Sequence, residues 1–554
     1  MALTSSAQKT NISPGVVFAP GGDALSGRAV GSVRYLLAVL VLLAAGPVAI
    51  SADEFRTPSI SVVHVDWRAA LDQLRAEIGT APEVAADFTF TGQRRLPVYD
   101  PRTMPALVQL NAATSPIFTA IGRSPVPVLL PFDTAAFLEA RRGGEETPAS
   151  LAHYQADFRR ADLFDPGPAG YDAVFSLEPG AGVPSRTFAK PVEVQITGSL
   201  LTYDIPDPQG GKGEPVKSLA AQYPDLRRFI REGYVRYAFT RFGVPYVVSI
   251  QCLDSAPRPR RLACREAYPV AERFLKALRV AGGLPSRSRM DIPSEAAERP
   301  FVRSSDFTYR PVGDLLTGSG SRKQIGRVDA NAYSQILFPL DTPAFLHSQK
   351  HRTTGDKADS PSGMYPWRDN FCEARSFSVG QCASGYGHQG EDIRPGACPL
   401  ISEGVYACDP RQQPIFAVRD GIIIRSPKQQ AATLQINTRN EHIRFRYMHM
   451  NPSAMDADGL LNGREVMEGE KIGVVSNYLD HPNGTSRHLH FDVQVFTRDG
   501  WIWVNPYVTL ISAYERRIRG RGHEIGPELA GSPDVAHATQ DDAMHPDLHE
   551  GSEN

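Results

Sequence analysis

The segment 487–495, RHLHFDVQV, restricts what this chain can fold into more than any other. Leu489, Phe491, Val493 and Val495 alternate strictly with His488, His490, Asp492 and Gln494. A period of two is that of a β-strand with one packed and one polar face. Two imidazoles on the polar face of such a strand are held rigidly and side by side. The segment 442–450, HIRFRYMHM, has the same period. There Ile443, Phe445, Tyr447 and His449 share a face, which sets His449 at the end of an inward-looking stripe. Two upstream segments complete the group. GYGHQGEDI at 385–393 places His388 and Asp392 four apart around Gly390, and AVRDGIII at 417–424 reads as a turn at Asp420-Gly421 feeding a strand.

At 554 residues the chain is too long for one ordinary core, so two or three domains are expected. With 42% hydrophobic and 22% charged residues the composition is that of a soluble globular protein. A net charge of −2 gives no reason to expect nucleic acid as a partner. Near the N-terminus, Arg28 and Arg34 precede the apolar run YLLAVLVLLAAGPVAISA at 35–52, and Asp53-Glu54 follow it. That order is the order of a secretory signal. Residues 1–52 are therefore a cleaved signal peptide or a signal anchor, although the run is short against the roughly 20 residues that span a bilayer. Membrane attachment is expected only through that segment, if it stays uncleaved. Six cysteines fall in three close pairs, Cys252 and Cys264, Cys372 and Cys382, Cys398 and Cys408. An even count in short loops suits local disulfides in an oxidising compartment. No pair has CxxC spacing, which argues against a structural zinc cluster. Six cysteines allow fifteen connectivities, and the spacing does not choose among them.

Between signal and histidines, Trp67, Leu71, Leu74 and Ile78 recur at helical spacing with Gly79 as a stop. A hairpin is readable over 234–252, with Gly243 and Pro245 at its turn. Val270, Phe274 and Leu278 predict an amphipathic helix ending at Gly282-Gly283. DFTF at 87–90 with LPFDTAAFL at 130–138 resembles DFTY at 306–309 with FPLDTPAFL at 338–346, in the same order. The expected organisation is an N-terminal α+β region over 53–290, a partial repeat of it over 291–360, a mainly β domain over 361–519 and a disordered tail over 520–554. Neither copy of the repeat carries a catalytic constellation; a scaffold, a binding surface or a regulatory lid all remain open for it.

Taken together, the four histidine-bearing and strand-forming segments resemble the lysostaphin-type (LytM-like) zinc endopeptidases, whose patterns are HxGxD, a following DG strand, YxHL and HLHFE. The resemblance runs over about 365–512. It includes GEKIGVVSN at 469–477 and the Asn505-Pro506 that follows Trp501 and Trp503. It implies a small antiparallel β-sheet sandwich and one Zn2+ held by His388, Asp392 and His490. His449 and His488 would be the catalytic histidines that do not bind the metal. Tyr386 and Tyr447 are candidate oxyanion donors. Three nitrogen and oxygen ligands leave zinc an open position for water. The implied activity is hydrolysis of peptide bonds in peptidoglycan by a periplasmic or secreted enzyme.

Some residues depart from the pattern. HLHFD stands for HLHFE and YMHM for YxHL, and both changes leave the ligands alone. The stretch from Asp392 to Asp420 is long and carries Cys398 and Cys408, which reads as a disulfide-pinned insertion beside the cleft. NYLDHPNGTSR at 477–487 replaces a Gly-Thr-Gly-rich turn. Two further readings remain. One is a catalytically silent wall-binding or hydrolase-activating module, against which the presence of all five site residues counts. The other is a zinc peptidase acting on proteins, since a metal site does not choose its substrate.

Overall fold

The computed structural model describes residues 55–78, 104–142, 154–159, 162–177, 187–188, 190–205, 213–231, 233–252, 260–285, 306–316, 318–320, 328–340, 343–348, 366–396, 400–402, 405–406, 413–477 and 487–526. The apolar run at 35–52, the DFTF segment, Cys398 and Cys408, and residues 527–554 lie outside them. Among the described residues no helix is long and apolar enough to cross a membrane.

Two hydrophobic cores organise these residues, one built from 71–281 and one from 203 and 307–514. The first begins with α1 (Trp67–Ile78), where Ala70, Leu71 and Leu74 form the buried stripe and the Asp66 side chain caps Ala69 N–H at 2.9 Å. After α2 (Met104–Thr114), β1 (Val128–Leu130) and α3 (Thr134–Arg142), the chain enters an antiparallel sheet. Its strands are β2 (Leu163–Gly167), β3 (Gly170–Ser176), β4 (Glu193–Ser199), β5 (Glu214–Pro215), β6 (Arg227–Arg231), β7 (Tyr234–Arg241) and β8 (Val244–Gln251). They lie in the order β2-β3-β4-β8-β7-β6-β5. The hairpin β7–β8 turns on Phe242 and Gly243, both with positive φ (54° and 76°). That is the backbone hand a two-residue hairpin needs. Pro245 lies inside β8, opposite Thr240, rather than in the turn.

Cys252, just past β8, is disulfide-bonded to Cys264, the first residue of α4 (Cys264–Ala277). The helix buries Val270, Phe274 and Leu275. It stops earlier than its spacing predicts. Leu278 is already extended, and β9 (Arg279–Gly282) pairs with β1. Burying Val280 and Ala281 in a strand against β1 outweighs one more helical turn.

The second core is mainly β as well. Its sheet comprises β10 (Ala344–Leu346), β11 (Glu391–Pro395), β12 (Gly421–Ile424), β13 (Ala432–Asn437), β14 (His442–Met448), β15 (Glu465–Val466), β16 (Leu489–Thr497) and β17 (Gly500–Val504). The order is β10-β11-β16-β14-β13-β12-β15, all antiparallel, with β17 on the far part of β16. Helix α5 (Tyr507–Ile518) closes the core with Leu510, Ile511 and Tyr514.

The described residues of 306–346 pack into this second core: Phe307, Phe338 and Leu346 are among its members. The two DTxAFL segments differ in conformation. Ala136-Phe137-Leu138 are helical, whereas Ala344-Phe345-Leu346 form an edge strand. The segment read as a disordered tail starts with a strand, Gly522–Glu524, paired in parallel with Phe307–Tyr309. Its residues gain backbone partners there without any apolar period of their own.

Candidate metal centre

Strand register brings the predicted residues together. Asp392 on β11 lies opposite His490 on β16, and His490 lies opposite Met448 on β14. The close approach of β11 to β16 explains the glycine in HQGED. A Cβ on Gly390 would stand 2.4 Å from the Phe491 carbonyl oxygen and 2.9 Å from His490 Nε2. On β16 the expected alternation holds, with Leu489, Phe491, Val493 and Val495 fully buried in the core.

His388 Nε2, Asp392 Oδ1 and His490 Nδ1 converge. The two nitrogens are 3.0 Å apart, and each is 3.3 Å from the carboxylate oxygen. All three residues are buried. Ligand bonds of about 2.1 Å at a tetrahedral angle put donor atoms roughly 3.4 Å apart, so this donor set fits a zinc ion to within a few tenths of an ångström. Two imidazoles and one carboxylate are also a donor set that catalytic zinc sites use.

Neighbouring groups orient each donor. His388 Nδ1 faces the Asn370 carbonyl at 3.0 Å, which leaves Nε2 to point at the centre. Asn370 also accepts the Asp392 N–H on its Oδ1 at 3.0 Å and donates from Nδ2 to Glu391 at 2.6 Å. His490 Nε2 lies 3.3 Å from Asp492 Oδ2. Asp492 in turn accepts from Arg446 Nε at 2.7 Å and from Trp503 Nε1 at 3.0 Å. No spacing pattern in the sequence marks Asn370, because its role lies as much in its carbonyl as in its side chain. Arg446 and Asp492 were legible in principle as facing residues of two alternating strands.

Electrostatics favour ligand-ready protonation states at His388 and Asp392. Burial pushes His388 down to about 4, despite the opposing pull of Asp392. Asp392 is held well below the usual carboxylate range: burial works against its charge, but His388 and His488 outweigh it. For His490 burial lowers the pKa, yet the bonds to Asp392 and Asp492 turn the net shift upward. Burial, then His488 and His490, hold His449 well below its ordinary value.

The two other histidines adjoin this group. The ring of His449 lies 4.8 Å from that of His488 and 6.0 Å from that of His490. His488 Nε2 is 3.4 Å from Asp392 Oδ1. Strand alternation alone would send His449 to the apolar face with Tyr447. Its backbone instead turns left-handed at φ 65°, one residue past β14, and the ring swings to the histidine side. Gln430 Oε1 holds its Nδ1 at 3.0 Å.

The two candidate tyrosines fare differently. Tyr447 is on the opposite face of β14, buried, with its hydroxyl oxygen accepting the Val418 N–H at 2.9 Å, so it is no oxyanion donor. Tyr386 is 56% exposed, two residues before His388. A loop closed by a Cys372–Cys382 disulfide, one of the close cysteine pairs of the sequence, ends four residues before it.

Only part of the polar face belongs to the centre. Further along β14, His442 Nε2 contacts Asp172 Oδ2 at 2.7 Å, and Arg444 donates to Asp172 Oδ1 at 2.9 Å. Trp501 Nε1 donates to Thr197 at 3.1 Å, and Arg236 to the Trp501 carbonyl. The N-terminal sheet is thus docked on the same face as the histidines.

No family model matches the chain, and no curated protein does. Two solved structures show a local likeness. One is described as a candidate glycyl-glycine endopeptidase LytM from Ruminococcus gnavus; the match has 20% identity and a TM-score of 0.17 over 25% of this chain. The other is Helicobacter pylori Csd3, with 25% identity and a TM-score of 0.14 over 22% of this chain. The matched region spans about half of the first protein (49%) and about a quarter of the second (27%). At these scores neither likeness assigns a fold or an activity.

Proposed function

We propose that the chain is an exported zinc endopeptidase of the lysostaphin type that hydrolyses peptide bonds in peptidoglycan. The observation that carries this reading is the buried His388–Asp392–His490 group, with donor atoms 3.0–3.3 Å apart and two further histidine rings beside it. A bound zinc ion would supply Lewis acidity and lower the pKa of a water toward 7. His449, kept neutral by burial and its histidine neighbours, is suited to take a proton from the attacking water. His488 stands next to it and can donate to the developing oxyanion or to the departing amine. Asp392 spreads its charge over three imidazoles and so keeps the group together before any ligand arrives. The HxGxD and HLHFD motifs point to the wall peptide as substrate, and the paired cysteines in short disulfide loops fit an exported protein.

The test uses purified protein with its signal removed. It should bind about one zinc per chain and release peptide-derived amines from purified sacculi. His490→Ala should lose both zinc and activity, whereas His449→Ala should keep zinc and lose at least 100-fold in rate. Full activity of His490→Ala would sink the assignment. Cleavage of casein but not of sacculi would move the substrate to proteins.

A further inference from the structure

Glu391 stands where an apolar residue belongs. On β11 it precedes Asp392 and so faces the other side of the sheet, opposite Phe491 of β16. That is the side on which Leu489, Phe491, Val493 and Ile393 fill the second core. Glu391 is as buried as they are, with 0% of its surface exposed. A carboxyl group in such surroundings is unfavourable unless donors enclose it.

The donors come from one dipeptide. The Asn370 and Phe371 N–H groups both donate to Glu391 Oε1 at 3.1 Å, and Asn370 Nδ2 donates to Oε2 at 2.6 Å. Asp369, the residue before them, is buried too and is hydrogen-bonded to Glu391. Two carboxyl groups form such a bond around a shared proton. Asp369 is in turn fixed from outside, since its Oδ2 accepts from the Gly313 N–H at 2.7 Å and from Asn505 Nδ2 at 2.8 Å. The polar atoms of Asn370 divide cleanly. Both of its nitrogens go to Glu391. Both of its oxygens go to the His388–Asp392–His490 group, the carbonyl to His388 Nδ1 at 3.0 Å and Oδ1 to the Asp392 N–H at 3.0 Å.

We propose that Glu391 is a positioning residue for the His388–Asp392–His490 group, acting through Asn370 on His388 and Asp392 at once. With Asn370 held from the core side, the direction of the His388 ring and the place of the Asp392 backbone are set together. The donor atoms then stand close to binding distance before any ion arrives, which removes an ordering cost from binding. An apolar residue at this position would leave three buried N–H donors without an acceptor. The inference rests on the zinc reading of the group and is independent of the substrate.

The experiment compares wild type, Glu391→Leu, Glu391→Gln and Asn370→Ala in the full exported chain. Competition with a chelator reads zinc affinity, the visible spectrum of the cobalt-substituted protein reads ligand geometry, and thermal melting reads the fold. Glu391→Leu should weaken zinc binding at least about tenfold and alter the cobalt bands. Glu391→Gln keeps an oxygen for the backbone donors and offers Asp369 an N–H in place of the shared proton. It should bring zinc affinity back to within about threefold of wild type, with wild-type cobalt bands. Asn370→Ala leaves Glu391 in place and should reproduce the weak binding and altered bands of Glu391→Leu, so it decides the matter even if Glu391→Leu does not fold. Wild-type affinity and bands in either Glu391→Leu or Asn370→Ala overturn the proposal. So does a Glu391→Gln protein that melts like wild type yet binds zinc as poorly as Glu391→Leu. A wild type that takes up neither zinc nor cobalt overturns the zinc reading itself, whereas variants that bind like wild type leave that reading standing and remove only the role of Glu391.

Discussion

Arg446 donates through Nε to Asp492 Oδ2 at 2.7 Å, and that same oxygen lies 3.3 Å from His490 Nε2. The pair joins neighbouring strands at directly opposed positions. Trp503 holds the other carboxylate oxygen at 3.0 Å, so Asp492 has little freedom to turn. A carboxylate fixed in this way sets the orientation of the histidine and strengthens Nδ1 as a donor. Asp492→Asn should therefore weaken zinc affinity about 10- to 100-fold while leaving the secondary structure intact. Competition with a chromophoric chelator measures this, and an unchanged zinc Kd would show that Asp492 is only a packing residue.

A second prediction concerns the contact between the two sheets. Asp172 is buried and bonded to His442, Arg444 and Thr197 at 2.6–2.9 Å. Burial opposes its charge, but His442 and Arg444 hold its pKa below the ordinary value. Asp172→Ala strips both basic groups of their partner and should cost about 3–5 kcal/mol. Asp172→Asn keeps the shape and should cost less. Denaturant titration gives the difference, and equal midpoints for Asp172→Ala and wild type would refute the role of this contact.

These two sites show what the residue pattern did and did not reveal. The strand read at 487–495 and the helix at 67–78 were legible because each carries its own period; the helix forms at those bounds and the strand two residues later, at Leu489–Thr497. The polar face of β14 was legible as polar but not as divided. Arg446 serves the His388–Asp392–His490 group through Asp492, whereas His442 and Arg444 dock a sheet about 270 residues earlier in the chain. No local period encodes such a partner. His449 was named as a candidate, but its face escaped for a different reason: one left-handed residue past the end of β14 reverses the face that alternation assigns. The early stop of α4 has the same character, since its last expected turn is captured by β1 some 150 residues away.

Stability should fall as pH rises through neutrality. Burial pushes Asp165 and Glu193 up to about 7, and both lie where the N-terminal sheet meets the second core, near Glu465 and Ser426. A raised carboxyl pKa means that the folded state holds a proton the unfolded chain releases near pH 4. The stabilising contribution is thus complete below about pH 4 and is lost as pH rises through about 7. A tenfold difference in proton affinity between folded and unfolded chain is worth at most about 1.4 kcal/mol, and relaxation of a partly solvated group reduces this. The melting temperature should drop by several degrees between pH 5.5 and 8, and Asp165→Asn with Glu193→Gln should flatten the slope. A Tm that rises over that window would contradict the assignment.

The Cys372–Cys382 disulfide should matter for the metal as well as for the fold. It closes a loop of about 10 residues, for which the chain-entropy model gives roughly 3 kcal/mol. The loop also brackets His388. Cys372 N–H donates to the His388 carbonyl at 2.9 Å, and His388 N–H donates to the Glu373 carbonyl at 2.8 Å. Asn370, two residues before Cys372, receives His388 Nδ1. Freeing the loop loosens the frame that presents His388, so replacing both cysteines with serine should lower stability and zinc affinity together. The control is Cys252→Ser with Cys264→Ser, whose disulfide lies in the first core and touches no ligand. That pair should reduce thermal stability yet leave zinc affinity within twofold. If both double variants lowered zinc affinity equally, the effect would be one of global stability, and the loop would have no special hold on His388.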